Sequence, residues 1–344
     1  MKKLIVVLSL VVVLTGFSSQ CFALHWRYSP WFGSNFHHFG IEDIGVYKYG
    51  GGRGDKVGML YTCKGGYIDL GHLKECTDRT KYAYDIIYEN ILKDNQKEFS
   101  FKIVDKAVYF VTIYYPANWK SMKKNDKQKI ARIVSANLGE RVAYCSTVWH
   151  EIITRLGYSS FMFSERPSAF SWEDLYSDLV GSNLAAQALK SGEDFEKQMT
   201  KLIPMKLKEL RVQPAEIARQ ATDKIKDKWF AGIYPGIRMK RNFDIGFDDG
   251  FITPWLVPGI CSNSQSVSEP VSSLNDVSNN GFSFNLEMRP KSRQGKKAFG
   301  FISNDIDGKR LQPGIDFLKI VEHLRKEEIR KHGNGIDTPS LGFE

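Results

Sequence analysis

The chain has 344 residues, a formal charge of +9, and is 42% hydrophobic with 13% aromatic residues. That length excludes a disulfide-held miniprotein and allows one large domain or two modest ones with cores of their own. The basic excess is spread along the chain, densest over 120–129 and 201–211. With no stacking-plus-basic module, a nucleic-acid binder is not expected; weak attraction to anionic envelope surfaces is the simpler reading.

Residues 1–23 carry Lys2 and Lys3, a largely apolar run from Leu4 to Leu14, and a small-residue end at Ala23. This pattern is an export signal, with the mature chain expected from Leu24 and a charge falling to +7 on loss of the two lysines. The apolar core is short for a membrane span, and no later segment reads as one. A lipoprotein acylated at Cys21 is the alternative, although Ser19-Gln20 makes a poor lipobox. The expected location is periplasmic or secreted.

Residues 24–344 are read as one mixed α+β domain: a helical middle with strand and loop segments before and after. Loops with short strands are expected up to about Gly66. Apolar spacing near the helical period predicts a helix over 69–90, with His72 and Cys76 on one face. Alternation over 98–115 around Asp105-Lys106 predicts a hairpin. Helices follow over 126–136, 140–156, 171–190, 192–210 and 214–229. The stretch 232–260 is dense in Gly, Pro and aromatics and reads as loops with short strands. Segment 262–281, with seven serines, reads as a surface loop. Strands are expected at 283–288 and 298–302, and a charged helix over 316–331.

Four cysteines remain after signal cleavage. In an oxidising compartment they favour disulfides: Cys63 to Cys261 as the best pair, since both lie in Gly-bearing loops, and Cys76 to Cys145 if their helices pack together.

The most chemically suggestive stretch is Trp149-His150-Glu151-Ile152-Ile153-Thr154. It holds half of a zinc-hydrolase helix motif, in which two histidines four residues apart bind the metal and the glutamate activates water. Thr154 replaces the second histidine, and Glu151 could instead pair with Arg155 on the same helix. His72, on another helix with Asp69 three residues before it, offers a second imidazole. A carboxylate from the segment 164–178 could complete a zinc site, with Glu165 and Glu173 the ranked candidates and Glu151 as base. The helix-start positions of Glu173 and Asp174 also suit plain capping. In the loop 240–250, Arg241 is expected to pair with one of the aspartates, and Asn304 to Gly308 to form a turn.

The stretches Tyr61 to Leu73, Trp149 to Tyr158, Ser164 to Gly181 and Lys240 to Gly259 together resemble the bacterial exported family catalogued as domain of unknown function 4056. The resemblance implies export and a shared domain, and brings no catalytic residues with it. The expected function is therefore an exported metal-dependent hydrolase acting on peptide or envelope-derived amide bonds. The competing readings are a non-catalytic envelope or secreted binding protein, and a cysteine hydrolase built on a reduced Cys63.

Overall fold

The computed structural model describes residues 32, 36–104, 106–159, 164–232, 236–303 and 310–342. The signal segment 1–23, the mature start at Leu24 and the 304–308 turn lie outside the described residues. In chain order the elements are β1 (Met59–Thr62), β2 (Gly66–Asp69), α1 (Leu70–Leu92), β3 (Phe99–Phe101), β4 (Ala107–Tyr114) and α2 (Lys124–Arg155). Then come α3 (Asp174–Ser191), α4 (Phe195–Glu209), α5 (Ala215–Ile225), β5 (Phe230–Ala231), β6 (Arg238–Met239), β7 (Phe251–Ile252) and β8 (Glu269–Pro270). The chain continues through α6 (Asn275–Asn279), β9 (Ser283–Pro290), α7 (Arg293–Phe299) and α8 (Pro313–His332). The architecture is α+β: a helical middle flanked by small antiparallel sheets.

Helices α1, α2 and α3 pack on one another and form the centre of the molecule. Two glycines allow the close crossings. A Cβ on Gly181 of α3 would stand 2.0 Å from the Leu73 carbonyl oxygen of α1, and one on Gly139 of α2 would stand 2.9 Å from the Tyr84 nitrogen of α1. Gly139 explains a departure from expectation. The helices predicted over 126–136 and 140–156 are one helix, α2, because its glycine is a contact point rather than a stop.

The predicted hairpin is β3–β4, with Phe99 opposite Val111, and β9 extends it on the other edge of β4. Segment 298–302 is not a strand: α7 runs to Phe299, with Ala298 and Phe299 turned into the core. The serine-rich segment 262–281 is not wholly loop either, since it contains β8, which pairs with β7, and α6. A second aromatic core, holding Trp172, Trp229, Trp255, Tyr61 and Tyr67, lies against the β1–β2 hairpin and α5.

A disulfide joins Cys63, in the β1–β2 turn, to Cys261, with α-carbons 5.6 Å apart. Cys63 is therefore not a free nucleophile, and the cysteine-hydrolase reading falls. Cys76 and Cys145 are buried free thiols, so the second expected bond is absent. Among the described residues no helix is long and apolar enough to cross a membrane.

Candidate functional site

Asp69 ends β2 and caps α1. Its Oδ1 accepts from the backbone nitrogens of Gly71 (2.6 Å) and His72 (3.4 Å), while its own nitrogen donates to the Ser177 hydroxyl on α3. An aspartate at this position satisfies amide groups that the first helical turn leaves open. The cap uses one carboxylate oxygen only. Oδ2 of Asp69 is buried and accepts no hydrogen bond among the described residues.

One turn into α1, the His72 ring lies between two carboxylates of α3. Nε2 is 3.5 Å from Asp174 Oδ1 and Nδ1 is 3.5 Å from Asp178 Oδ2. Asp174 and Asp178 are four residues apart, so one helical face presents both. The side chain of His72 is 18% exposed, against 7% for Asp174 and 1% for Asp178. Both separations exceed a normal hydrogen bond, and neither oxygen of Asp178 accepts one among the described residues.

Glu173, directly before α3, holds one oxygen against the Ser171 hydroxyl (2.6 Å), and its other oxygen is buried without a partner among the described residues. Glu151 comes from α2, where it is buried rather than displayed. Its Oε2 accepts from the Phe170 nitrogen at 2.5 Å. Phe170 has φ of +59°, an unusual backbone for a bulky residue, and its own carbonyl accepts from Asn242 at 2.9 Å.

That loop is held from behind by Arg241, whose guanidinium donates to the carbonyls of Ala169 and Pro167 and to Glu328 of α8. Arg155 donates to the same Glu328. Two sequence expectations are corrected here. Arg155 pairs with α8 instead of Glu151, and Arg241 pairs with Glu328 instead of an aspartate of its own loop.

Burial is the main electrostatic fact of this centre. It pushes Asp69 up to about 7, Glu173 up to about 8, and Asp174 and Glu151 above the usual carboxylate range. Burial disfavours charge on His72 too, but Asp174 and Asp178 outweigh it and hold the imidazole well above its ordinary value. Burial brings Arg241 down to about 9.

Of the residues singled out from sequence, His72, Glu151 and Glu173 belong to one centre, and the charge of His72 acts on both glutamates. His150 is half-buried and acts electrostatically on Glu151, while Glu165 sits in the turn that closes at Ser168. Sequence reasoning did not bring Asp69, Asp174 and Asp178 together around His72. The four-residue spacing of the two α3 aspartates was the available signal. Among the described residues, no three His, Cys, Asp or Glu side chains are already gathered in metal-ligand geometry. The concavity of about 690 Å³ lined by Asn90, Lys93, Asp94 and Lys120 is elsewhere, roughly 27 Å along α1 from His72.

These features define an α+β protein with a buried histidine–carboxylate centre between three helices. The profile of the family described as "Protein of unknown function (DUF4056)" matches residues 35–246, and the chain belongs to that family. All the residues of the centre lie within the match; Glu328 lies beyond it. No curated protein and no solved structure matches the chain.

Proposed function

We propose that the protein is an exported metal-dependent hydrolase acting on peptide or envelope-derived amide bonds. The observation that carries this reading is His72 set 3.5 Å from carboxylates on both ring nitrogens, beside buried carboxylate oxygens without a hydrogen-bond partner among the described residues. A buried unsatisfied carboxylate is costly, and a cation that replaces the missing partners removes the cost. Nδ1 facing Asp178 leaves Nε2 to the metal, an arrangement in which the carboxylate fixes the ring.

Glu151, with one oxygen tied to the Phe170 amide, would serve as the general base, and a metal held beside it would supply the activation of the attacking water. His150 and Glu165 remain candidate ligands beside His72 and Glu173. Zinc is the first metal to try, since imidazole and carboxylate suit it. The disulfide and the absence of a membrane-crossing helix among the described residues are compatible with export.

The test is metal content and amide-bond turnover of the purified mature protein, with variants alongside. His72→Ala loses metal and turnover together, whereas Glu151→Gln keeps metal and loses turnover. His150→Ala and Glu165→Gln, assayed for metal content, decide whether those side chains complete the ligand set. A protein that binds no divalent metal overturns the reading. A metal-loaded protein with no amide turnover turns it into a binding protein.

A further inference from the structure

We propose that the concavity at the far end of α1 is a binding site for a phosphate group carried on a polyol. This goes beyond the hydrolase reading and does not depend on it. Segments 89–97 and 118–129 carry seven lysines against three carboxylates. In the sequence such a run reads as a solvated face, but in the fold part of its charge converges. Lys93 at the end of α1, Lys97 in the loop that follows and Lys120 in the 3₁₀ turn Trp119–Ser121 line one hollow of about 690 Å³. That volume falls within the range of about 300–1,000 Å³ usual for small-molecule sites. Every described lining residue is polar or charged, which suits a hydrophilic guest rather than an apolar one.

The walls are fixed by the protein, whereas the ammonium groups are left open. The Asn95 side chain donates to that of Asn90 at 2.7 Å, and Asn90 donates to the Ile86 carbonyl at 2.9 Å. The Tyr115 hydroxyl stands 3.3 Å and 3.0 Å from the carbonyl oxygens of Asn90 and Asn95. Asp94, the carboxylate of the lining, is already engaged: Trp119 Nε1 donates to one oxygen, and Lys127 lies 3.5 Å from the other. Lys93 has a 3.2 Å pair with Glu89, but both side chains are well exposed and such a tie is weak. Lys97 and Lys120 are exposed and pair with no carboxylate among the described residues. By contrast Lys48 stands 2.9 Å from Glu196, and Lys190 stands 2.7 Å from Asp276.

The kind of anion follows from the side chains present. No arginine, whose planar fork fits a carboxylate bidentately, stands among the described lining residues. Ammonium groups act as point charges that approach from separate directions, which suits the several oxygens of a phosphate. The exposed Gln96 side chain makes no hydrogen bond among the described residues, and it offers a donor and an acceptor to hydroxyls beside the phosphate. A soluble polyol phosphate and the headgroup of an anionic phospholipid share this chemistry.

The experiment uses the full mature protein at low salt. Calorimetry reads glycerol 3-phosphate, inorganic phosphate and, as a carboxylate control, glucuronate; co-sedimentation reads vesicles of phosphatidylglycerol or of phosphatidylcholine. The doubly substituted protein, Lys97→Gln with Lys120→Gln, is expected to lose at least about tenfold in affinity for the phosphate probe, the equivalent of one charged hydrogen bond. Both lysines are exposed, so the variant keeps its fold, which thermal unfolding checks. Lys326→Gln with Lys331→Gln removes the same charge from another exposed face, on α8, and is expected to leave binding unchanged. Glycerol 3-phosphate bound in solution identifies a soluble ligand, and binding to phosphatidylglycerol vesicles alone identifies a lipid headgroup; either supports the site. Equal losses in the two double variants overturn it. So do glucuronate or inorganic phosphate bound as tightly as glycerol 3-phosphate, equal binding to the two kinds of vesicle, and no binding to either phosphate probe. None of these outcomes bears on the metal and turnover tests of the hydrolase reading.

Discussion

Helix α1 carries two sets of buried charged groups, and they are treated in opposite ways. On one face Lys74 donates to Asp55 (2.7 Å) and to the carbonyls of Ile44 (3.1 Å) and Lys56 (2.6 Å), while Asp78 accepts from the Tyr47 hydroxyl (2.5 Å) and the Gly50 amide (3.2 Å). There the chain supplies its own counter-charges, and the result ties the 44–56 loop to the helix. Around His72 the chain supplies an excess of carboxylates and leaves several oxygens without partners among the described residues. Buried charge that is matched serves the fold. Buried charge left unmatched, on a helix that matches its charges elsewhere, is the contrast on which the hydrolase proposal rests.

The strongest way to break this comparison is to unmatch a matched set. Glu328 pairs through its two oxygens with both Arg155 and Arg241, so Glu328→Gln removes the carboxylate that two buried guanidinium groups share. Removing one member of such a cluster costs about 3–5 kcal/mol, and denaturant unfolding should show a loss of that size. A loss under about 1 kcal/mol, the range of an exposed pair, would mean that the matched clusters are not holding the fold.

A loss from a different source provides a control. The Cys63–Cys261 bond spans 198 residues and fastens the β1–β2 turn beside the aromatic core. Its replacement by serines should lower stability by about 2–5 kcal/mol. Metal binding in the folded protein should be unchanged, because neither sulfur belongs to the helix centre. A parallel loss of metal affinity would show that the two regions are coupled.

A third test asks whether a buried carboxylate costs stability away from the centre. Glu140 on α2 is buried, and burial pushes it up to about 8 from 4.5. A carboxyl raised in the folded state contributes stability that is complete below the unfolded value and lost as pH climbs through the folded one. Stability should therefore fall between pH 4.5 and about 8. Glu140→Gln should flatten that slope and be the more stable protein at alkaline pH, by about 1–3 kcal/mol. Parallel pH–stability curves for the two proteins would remove Glu140 as a source.

How much of this was visible in the residues depends on distance along the chain. Helical periodicity showed α1, α4, α5 and α8, and alternation showed the β3–β4 hairpin, because these patterns are local. The Cys63–Cys261 pairing was reached from loop context. The break expected between 136 and 140 is absent, and Gly139 stands there: a glycine that ends a helix and one that admits a neighbouring helix look alike until the neighbour is known. Arg241 finds Glu328 across 87 residues, which no local pattern reports. At the site, His72, Glu151 and Glu173 stood out by residue type, but Asp174 looked like an ordinary helix-start carboxylate and Asp178 was not singled out. Their place beside His72 appears only when Gly181 lets α3 approach α1 closely enough to bring them there.

The finest distinction lies within one side chain. The two oxygens of Asp69 are used unequally: Oδ1 caps α1, and Oδ2 is buried without a partner among the described residues. Asparagine caps helices about as well as aspartate, so Asp69→Asn keeps the capping oxygen and replaces the open one with an amide that cannot carry charge. The metal-free variant should unfold within about 0.5 kcal/mol of the parent at pH 5, where the parent's carboxyl, raised by burial to about 7, is largely protonated. Above pH 7 the parent must ionise this buried group and the variant need not, so the metal-free variant should become the more stable of the two. With Zn²⁺ added the order should reverse, since the parent gains binding energy that the variant has lost. Thermal unfolding with and without Zn²⁺ at both pH values reads all these outcomes. An equal Zn²⁺-induced rise in parent and variant would show that Asp69 is a helix cap and nothing more.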